Sequence, residues 1–234
     1  MIKNLALGFT SLRPVSLPEY VCDVREDEYL ICLKQLKRVL PESFDFIICE
    51  NTIDDPQQIK NVELREFLAE EEVVSTGSES NIGISNKGMG ELLLLKNALD
   101  KINIDKYENI CYVTARRFYT CPYVFEKTES LKKQALLSNP DFVFLDGRVL
   151  ESYKEQCYND MFFSMKTKSM VEYAEYSMNQ LNTNLENRIG SEYNLYNFVT
   201  KNNIDYEWVN WLGIIRNAWD INGNTSDISN FHIS

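Results

Sequence analysis

Basic residues crowd locally in a chain whose formal charge is −11. Lys87 lies in the run N-I-G-I-S-N-K-G-M-G, residues 81–90, and Arg116 and Arg117 follow the run Y-E-N-I-C-Y-V-T-A, residues 107–115. Gly83, Gly88 and Gly90 come just before a leucine-rich stretch with helical spacing. The pattern predicts a glycine loop whose backbone amides approach a ligand at a helix start. Such a loop suits an anion, with Lys87 as a mobile charge and the arginines at the C-terminal end of a strand, where open α/β sheets bind ligands. The same residues could instead decorate two element ends with no ligand between them. Arg13, after the strand candidate at 5–11, is another strand-end cation.

The chemistry open to the chain is narrowed by what it lacks. Its single histidine, His232, is two residues from the last, so triads built on histidine are not expected. Gly88 is followed by Met89 where a Walker loop needs lysine and a hydroxyl residue, and Gly88-Met89-Gly90 lacks the third glycine of a dinucleotide fingerprint. The six cysteines form no C-x-x-C pair, and neither zinc nor a disulfide framework is indicated. The acidity argues against general nucleic-acid binding, which needs a basic face. The first ten residues are too short an apolar segment for a signal peptide, and no window reaches the roughly 18 to 20 apolar residues of a membrane span. The expected location is cytoplasmic.

Element by element, the chain reads as alternating strands and helices. A strand at 5–11 is followed by an amphipathic helix at 25–40, where Tyr29, Cys32, Leu33, Leu36, Val39 and Leu40 share one face, and by a buried strand at 44–49 ending in Glu50 and Asn51. A helix at 61–72, the glycine loop, a helix at 90–102 and a strand at 109–114 come next. Further expectations are a helix at 124–137, strands at 141–145 and 161–165, helices at 169–181 and 192–200, and a strand at 206–215. Asp146, followed by Gly147 and Arg148, would end the 141–145 strand, where it could hold a divalent metal or cap the next turn. At 234 residues and 44% hydrophobic content, one large core is expected.

This order of parts resembles the nucleotide-sugar-binding half of GT-A fold glycosyltransferases, in particular small bacterial enzymes of surface-polysaccharide synthesis. The resemblance rests on residues 10–13, on Glu50 with Asn51, and on residues 81–91. It implies an α/β fold of Rossmann-like GT-A type, with a mainly parallel central sheet flanked by helices. It also implies a single domain over 1–234: a nucleotide-sugar-binding half (1–150), an acceptor half (151–220) and a loosely held tail (221–234). Thr10, Arg13 and Glu50 would lie near the nucleotide base and ribose, and Lys87, Gly88, Arg116 and Arg117 near the diphosphate. The family's D-x-D metal-binding carboxylates would fall at the end of the 109–114 strand, where this chain has Thr114, Ala115, Arg116 and Arg117. Cations in place of a required metal are therefore expected, with Asp146 as the rival that would bring in Mn or Mg.

The same resemblance makes Glu192, in I-G-S-E before a helix, the counterpart of the acidic residue that inverting enzymes use as general base; a helix-start charge interacting with the macrodipole is the other reading. The implied partners are a nucleotide-sugar donor and a glycan or lipid-linked glycan acceptor, met in the cytoplasm or peripherally at the inner membrane face. A noncatalytic nucleotide- or phosphate-binding module and a nucleotidyltransferase are the alternatives.

Overall fold

The computed structural model describes residues 3–75, 81–138, 158–210 and 212–215. The chain opens with β1 (Lys3–Thr10), α1 (Glu19–Val39) and β2 (Phe44–Glu50), the expected β-α-β. A 3-10 turn (Pro56–Gln58), α2 (Val62–Ala69) and β3 (Val73–Ser75) follow, then α3 (Asn81–Ser85), α4 (Lys87–Lys101) and β4 (Tyr107–Thr114). Next come β5 (Phe118–Tyr119), α5 (Tyr123–Glu129), β6 (Ala135–Ser138) and β7 (Phe162–Lys166). The last described elements are α6 (Thr167–Asn179), α7 (Leu181–Glu186), α8 (Ser191–Lys201), β8 (Tyr206–Val209) and β9 (Ile214–Ile215).

Seven of the described strands make one sheet in the order β3-β2-β1-β4-β7-β6-β8. β3, β2, β1 and β4 are parallel, β7 runs against both β4 and β6, and β8 is parallel to β6. Central strands of such a sheet are buried on both faces, which is why β1 and β4 read as continuous apolar runs rather than alternating ones. Leu5, Leu7 and Phe9 of β1 pack with Met89, Leu92 and Leu95 of α4, Tyr173 of α6 and Phe198 of α8. Ala6, on the opposite face, joins Leu36 of α1 and Phe125 of α5, while Leu33 of α1, Ile48 of β2 and Leu64 of α2 form a third cluster. The result is three layers, with α4, α6 and α8 on one side of the sheet and α1, α2 and α5 on the other. Phe9, Tyr112 and Phe163 stack across β1, β4 and β7 with centroids 4.5 and 4.9 Å apart.

Several expectations are corrected. The glycine loop at 81–90 is helical: Asn86 caps α4 by accepting from the Met89 amide at 3.2 Å, and the glycines serve close packing. A Cβ on Gly90 would stand 2.5 Å from the Gly83 Cα, and one on Gly88 would stand 2.6 Å from the Ser191 amide nitrogen. α1 begins at Glu19, six residues before the expected start; in the added segment Tyr20 and Val24 are exposed, so it carries no apolar face in step with the rest. The helix expected at 124–137 ends at Glu129, and Ala135–Ser138 is a fully buried strand instead. Three apolar residues and a serine cannot be told from a helical segment by periodicity. The strand expected at 206–215 breaks into β8 and β9, turned by Gly213 at φ 64, and β9 pairs with β5 in a separate ribbon. The strand expected at 141–145 lies outside the described residues, as do Asp146, Arg148 and His232.

Candidate active site

Parallel strands aim their C-terminal ends at a common edge, and the sequence-predicted residues sort along it. Thr10 and Glu50 are register partners at the ends of β1 and β2. Both are buried: Thr10 donates to the Cys49 carbonyl at 3.2 Å, and Glu50 accepts from the Leu12 amide at 3.3 Å and the Thr52 amide at 2.6 Å. Burial raises the Glu50 pKa, against the opposing hydrogen bonds of Thr10, Thr52 and Leu12. Glu50 thus shapes the turn after β1. Ser11 tightens the same turn by donating to Asn51 at 2.7 Å.

Arg13 is engaged by carboxylates. Its guanidinium is held by Glu26, by Asp23 at 3.0 Å and, more loosely, by Glu19 at 3.8 Å. Glu26 of α1 is fully buried and also accepts from the Asn61 amide at 2.7 Å, so Arg13, in the β1–α1 connection, neutralises a buried charge that itself holds the start of α2. Burial works against the Arg13 charge, but Glu26 and Asp23 more than offset it and raise its pKa.

The remaining cations gather one strand further along. Arg116 and Arg117 follow β4, whose end is fixed by the Ala115 amide donating to Phe9 at 3.1 Å and the Thr114 amide donating to Met161 at 2.8 Å. Arg116 stands 4.0 Å from Glu28 of α1. Lys87 opens α4 with its side chain 82% exposed and 3.4 Å from Glu91, one turn on. The Glu91 charge is the largest influence on Lys87 and raises its pKa, with Asp160 acting in the same sense and Arg116 against it. Lys87 and Arg116 therefore share one field. Gly88, beside Lys87, is the residue on which α4 meets the start of α8.

Glu192 stands in the first turn of α8, whose N-terminus meets that of α4 where Gly88 faces Ser191. Burial and then the charge of Asp160 push its pKa up to about 7, with Glu91 adding to the rise and Lys87 and its own backbone amide opposing it. Ser191 donates to Asp160 at 2.5 Å and lies 3.5 Å from the Glu192 carboxylate. Burial likewise raises the Glu91 pKa, Lys87 and Arg117 opposing. A carboxylate with a pKa near 7 is poised to take a proton at neutral pH.

Glu91, Asp160 and Ser191 lie with Lys87 and Glu192 in the structure but were not singled out from the sequence. The Lys87-to-Glu91 spacing of four was a legible signal for an ion pair on a helix. Asp160, in the N-D pair before β7, carried none, because only the antiparallel return of β7 brings it to this edge. Among the described residues, no group of three or more His, Cys, Asp and Glu side chains is gathered to hold a metal ion. Two guanidinium groups at the end of β4 do not fit a divalent cation at the position where the GT-A resemblance would put one.

The architecture, a mostly parallel seven-stranded sheet between helical layers among the described residues, is similar in fold to solved transferase structures. Solved structures of this kind include a protein from Desulfovibrio desulfuricans taken to be a nucleotide-diphospho-sugar transferase, with a TM-score of 0.55 at 12% identity over 90% of this chain and 80% of that one. The 4-diphosphocytidyl-2C-methyl-D-erythritol synthase of Anaerococcus prevotii is similar with a TM-score of 0.53 at 13% identity, over 89% of this chain and 87% of its own. Mouse xyloside xylosyltransferase 1, in its apo form, gives 0.50 at 8% identity, over 89% and 84%. No protein-family model matches the sequence, and no curated protein matches it either. No helix among the described residues is long and apolar enough to cross a membrane.

Proposed function

We propose that the protein is a glycosyltransferase that moves a sugar from a nucleotide-sugar donor to a hydroxyl of a glycan or lipid-linked glycan, in surface-polysaccharide synthesis. The observation that carries this reading is the polar cluster where α4 meets α8, with Lys87 3.4 Å from Glu91 and Gly88 against Ser191 next to Glu192, beside the two arginines that follow β4. In a single displacement, the acceptor oxygen attacks the anomeric carbon while the bond from that carbon to the donor diphosphate breaks. The bonding pair leaves with the diphosphate oxygen. Fixed cations stabilise that developing charge, and Glu192 accepts the acceptor's proton. The nucleoside lies against the turn that Glu50 and Thr10 shape after β1.

A panel of UDP-, GDP-, CMP- and dTDP-sugars tests the reading through thermal stabilisation and release of free nucleotide. Stabilisation with slow release supports it. Stabilisation without release, even with acceptor glycans present, would make the protein a binding module, and no stabilisation by any donor would remove the nucleotide reading.

A further inference from the structure

The Ser191 hydroxyl has one proton to give, and its short contact is with Asp160 at 2.5 Å, against 3.5 Å to Glu192. With that proton committed to Asp160, the hydroxyl offers Glu192 only a lone pair. That contact is favourable when Glu192 carries a proton and can donate it. We propose that Asp160 and Ser191 are positioning residues for Glu192, the two carboxylates and the hydroxyl forming one proton-handling unit that stabilises Glu192 once it has taken the acceptor's proton. The proposal rests on the reading of Glu192 as general base and extends it to two residues.

The backbone around the unit is built to this arrangement. A Cβ on Gly88 would stand 3.0 Å from the Ser191 hydroxyl, and one on Gly190 would stand 2.8 Å from the Glu192 carboxylate. Asp160 is held from both sides in sequence: the Asn159 amide donates to Ser138 of β6 at 3.0 Å, and the Asn159 side chain accepts from the Met161 amide at 2.8 Å. One turn into α8, Asn194 accepts from Asn184 of α7 and donates to Ser177 of α6, each at 2.8 Å. The start of α8 is therefore fixed by buried polar contacts with two other helices.

The charges and titratable groups facing Glu192 are Lys87 and Glu91 from α4, Asp160 before β7 and Tyr173 from α6; Arg117 acts on Glu91, and Arg116 on Lys87. Asp160 is the largest charge among them in its effect on Glu192, second only to burial, and it raises the pKa. In the reaction the acceptor's proton moves to Glu192 and stays there, hydrogen-bonded to Ser191, while Asp160 remains the acceptor of the Ser191 proton. No further proton transfer is needed.

The test reads Glu192 directly. In protein labelled with 13C at glutamate carboxyls, with the Glu192 signal assigned by its loss in Glu192→Gln, the midpoint should lie near pH 7 and fall by about one unit in Asp160→Asn. Ser191→Ala keeps both carboxylates and should also lower it, because the protonated carboxyl loses its acceptor. In turnover assays with the nucleotide-sugar, the acid limb of kcat/KM should move to lower pH by the same amount in Asp160→Asn, with kcat reduced and donor KM unchanged. A Glu192 midpoint unmoved in both variants overturns the unit. A midpoint that moves in a protein that turns over no nucleotide-sugar sustains the unit and removes the glycosyltransferase reading instead.

Discussion

Glu192 is held where its charge is unwelcome, half enclosed and facing Asp160 and Glu91. Its folded pKa of about 7 is above the ordinary value of 4.5, so the folded state binds the proton more tightly than the unfolded chain does. The stabilisation from protonation is complete below the unfolded pKa and is lost as pH rises through about 7. Glu192→Gln should therefore flatten the decline in stability between those values and raise the melting temperature at pH 8, while lowering turnover by about 10² to 10⁴-fold. A helix-start charge stabilised by the macrodipole would behave oppositely, with a lower melting temperature and unchanged activity.

Arg13 makes the converse case, a cation used for structure. Arg13→Ala leaves Glu26 buried without its counter-charge and should cost about 3 to 5 kcal/mol in urea unfolding. A near-zero cost would return Arg13 to the list of ligand-binding candidates. From sequence, Arg13 and Lys87 looked alike, both basic residues near element ends. The distinction needs the tertiary neighbours: Glu26 and Asp23 enclose the Arg13 guanidinium, whereas Lys87 keeps an exposed side chain with Glu91 3.4 Å away.

At the scale of elements, the site depends on how closely α4 and α8 meet. Gly88 is the hinge of that meeting, since an added Cβ would run into the Ser191 backbone rather than a side chain that could swing away. Gly88→Ala should destabilise the fold by about 1 to 3 kcal/mol in urea and depress activity further than the lost stability explains, because Ser191 and Glu192 move with α8. A fully stable, fully active variant would show that the two helix starts are not coupled. The glycines of 81–90 were legible as special but not as packing glycines: three glycines near a helix start satisfy a phosphate loop and a helix crossing equally well. The long strands β1, β2 and β4 were legible because burial on both faces leaves an uninterrupted apolar run. β3, β6 and β9, of two to four residues, exist through their pairing partners and left too short a signal.

For the whole molecule, the question is why a chain of net charge −11 would concentrate cations at one edge of its sheet. A field that is negative overall repels anions, so on the proposed reading a nucleotide-sugar is captured by short-range contacts with Lys87, Arg116 and Arg117. On the proposed reading, in which these cations stand in for a metal-binding pair, turnover should survive a chelator such as EDTA; strict dependence on added Mn or Mg would instead bring forward Asp146. The most direct test is isothermal titration of the nucleotide-sugar that best stabilises the protein into the unmodified chain and into Arg116→Ala and Arg117→Ala. Loss of a charge-assisted hydrogen bond, roughly 1.5 to 3 kcal/mol, should weaken binding by about 10 to 150-fold in at least one of them, with the fold intact by circular dichroism. Unchanged affinity in both variants would contradict the account.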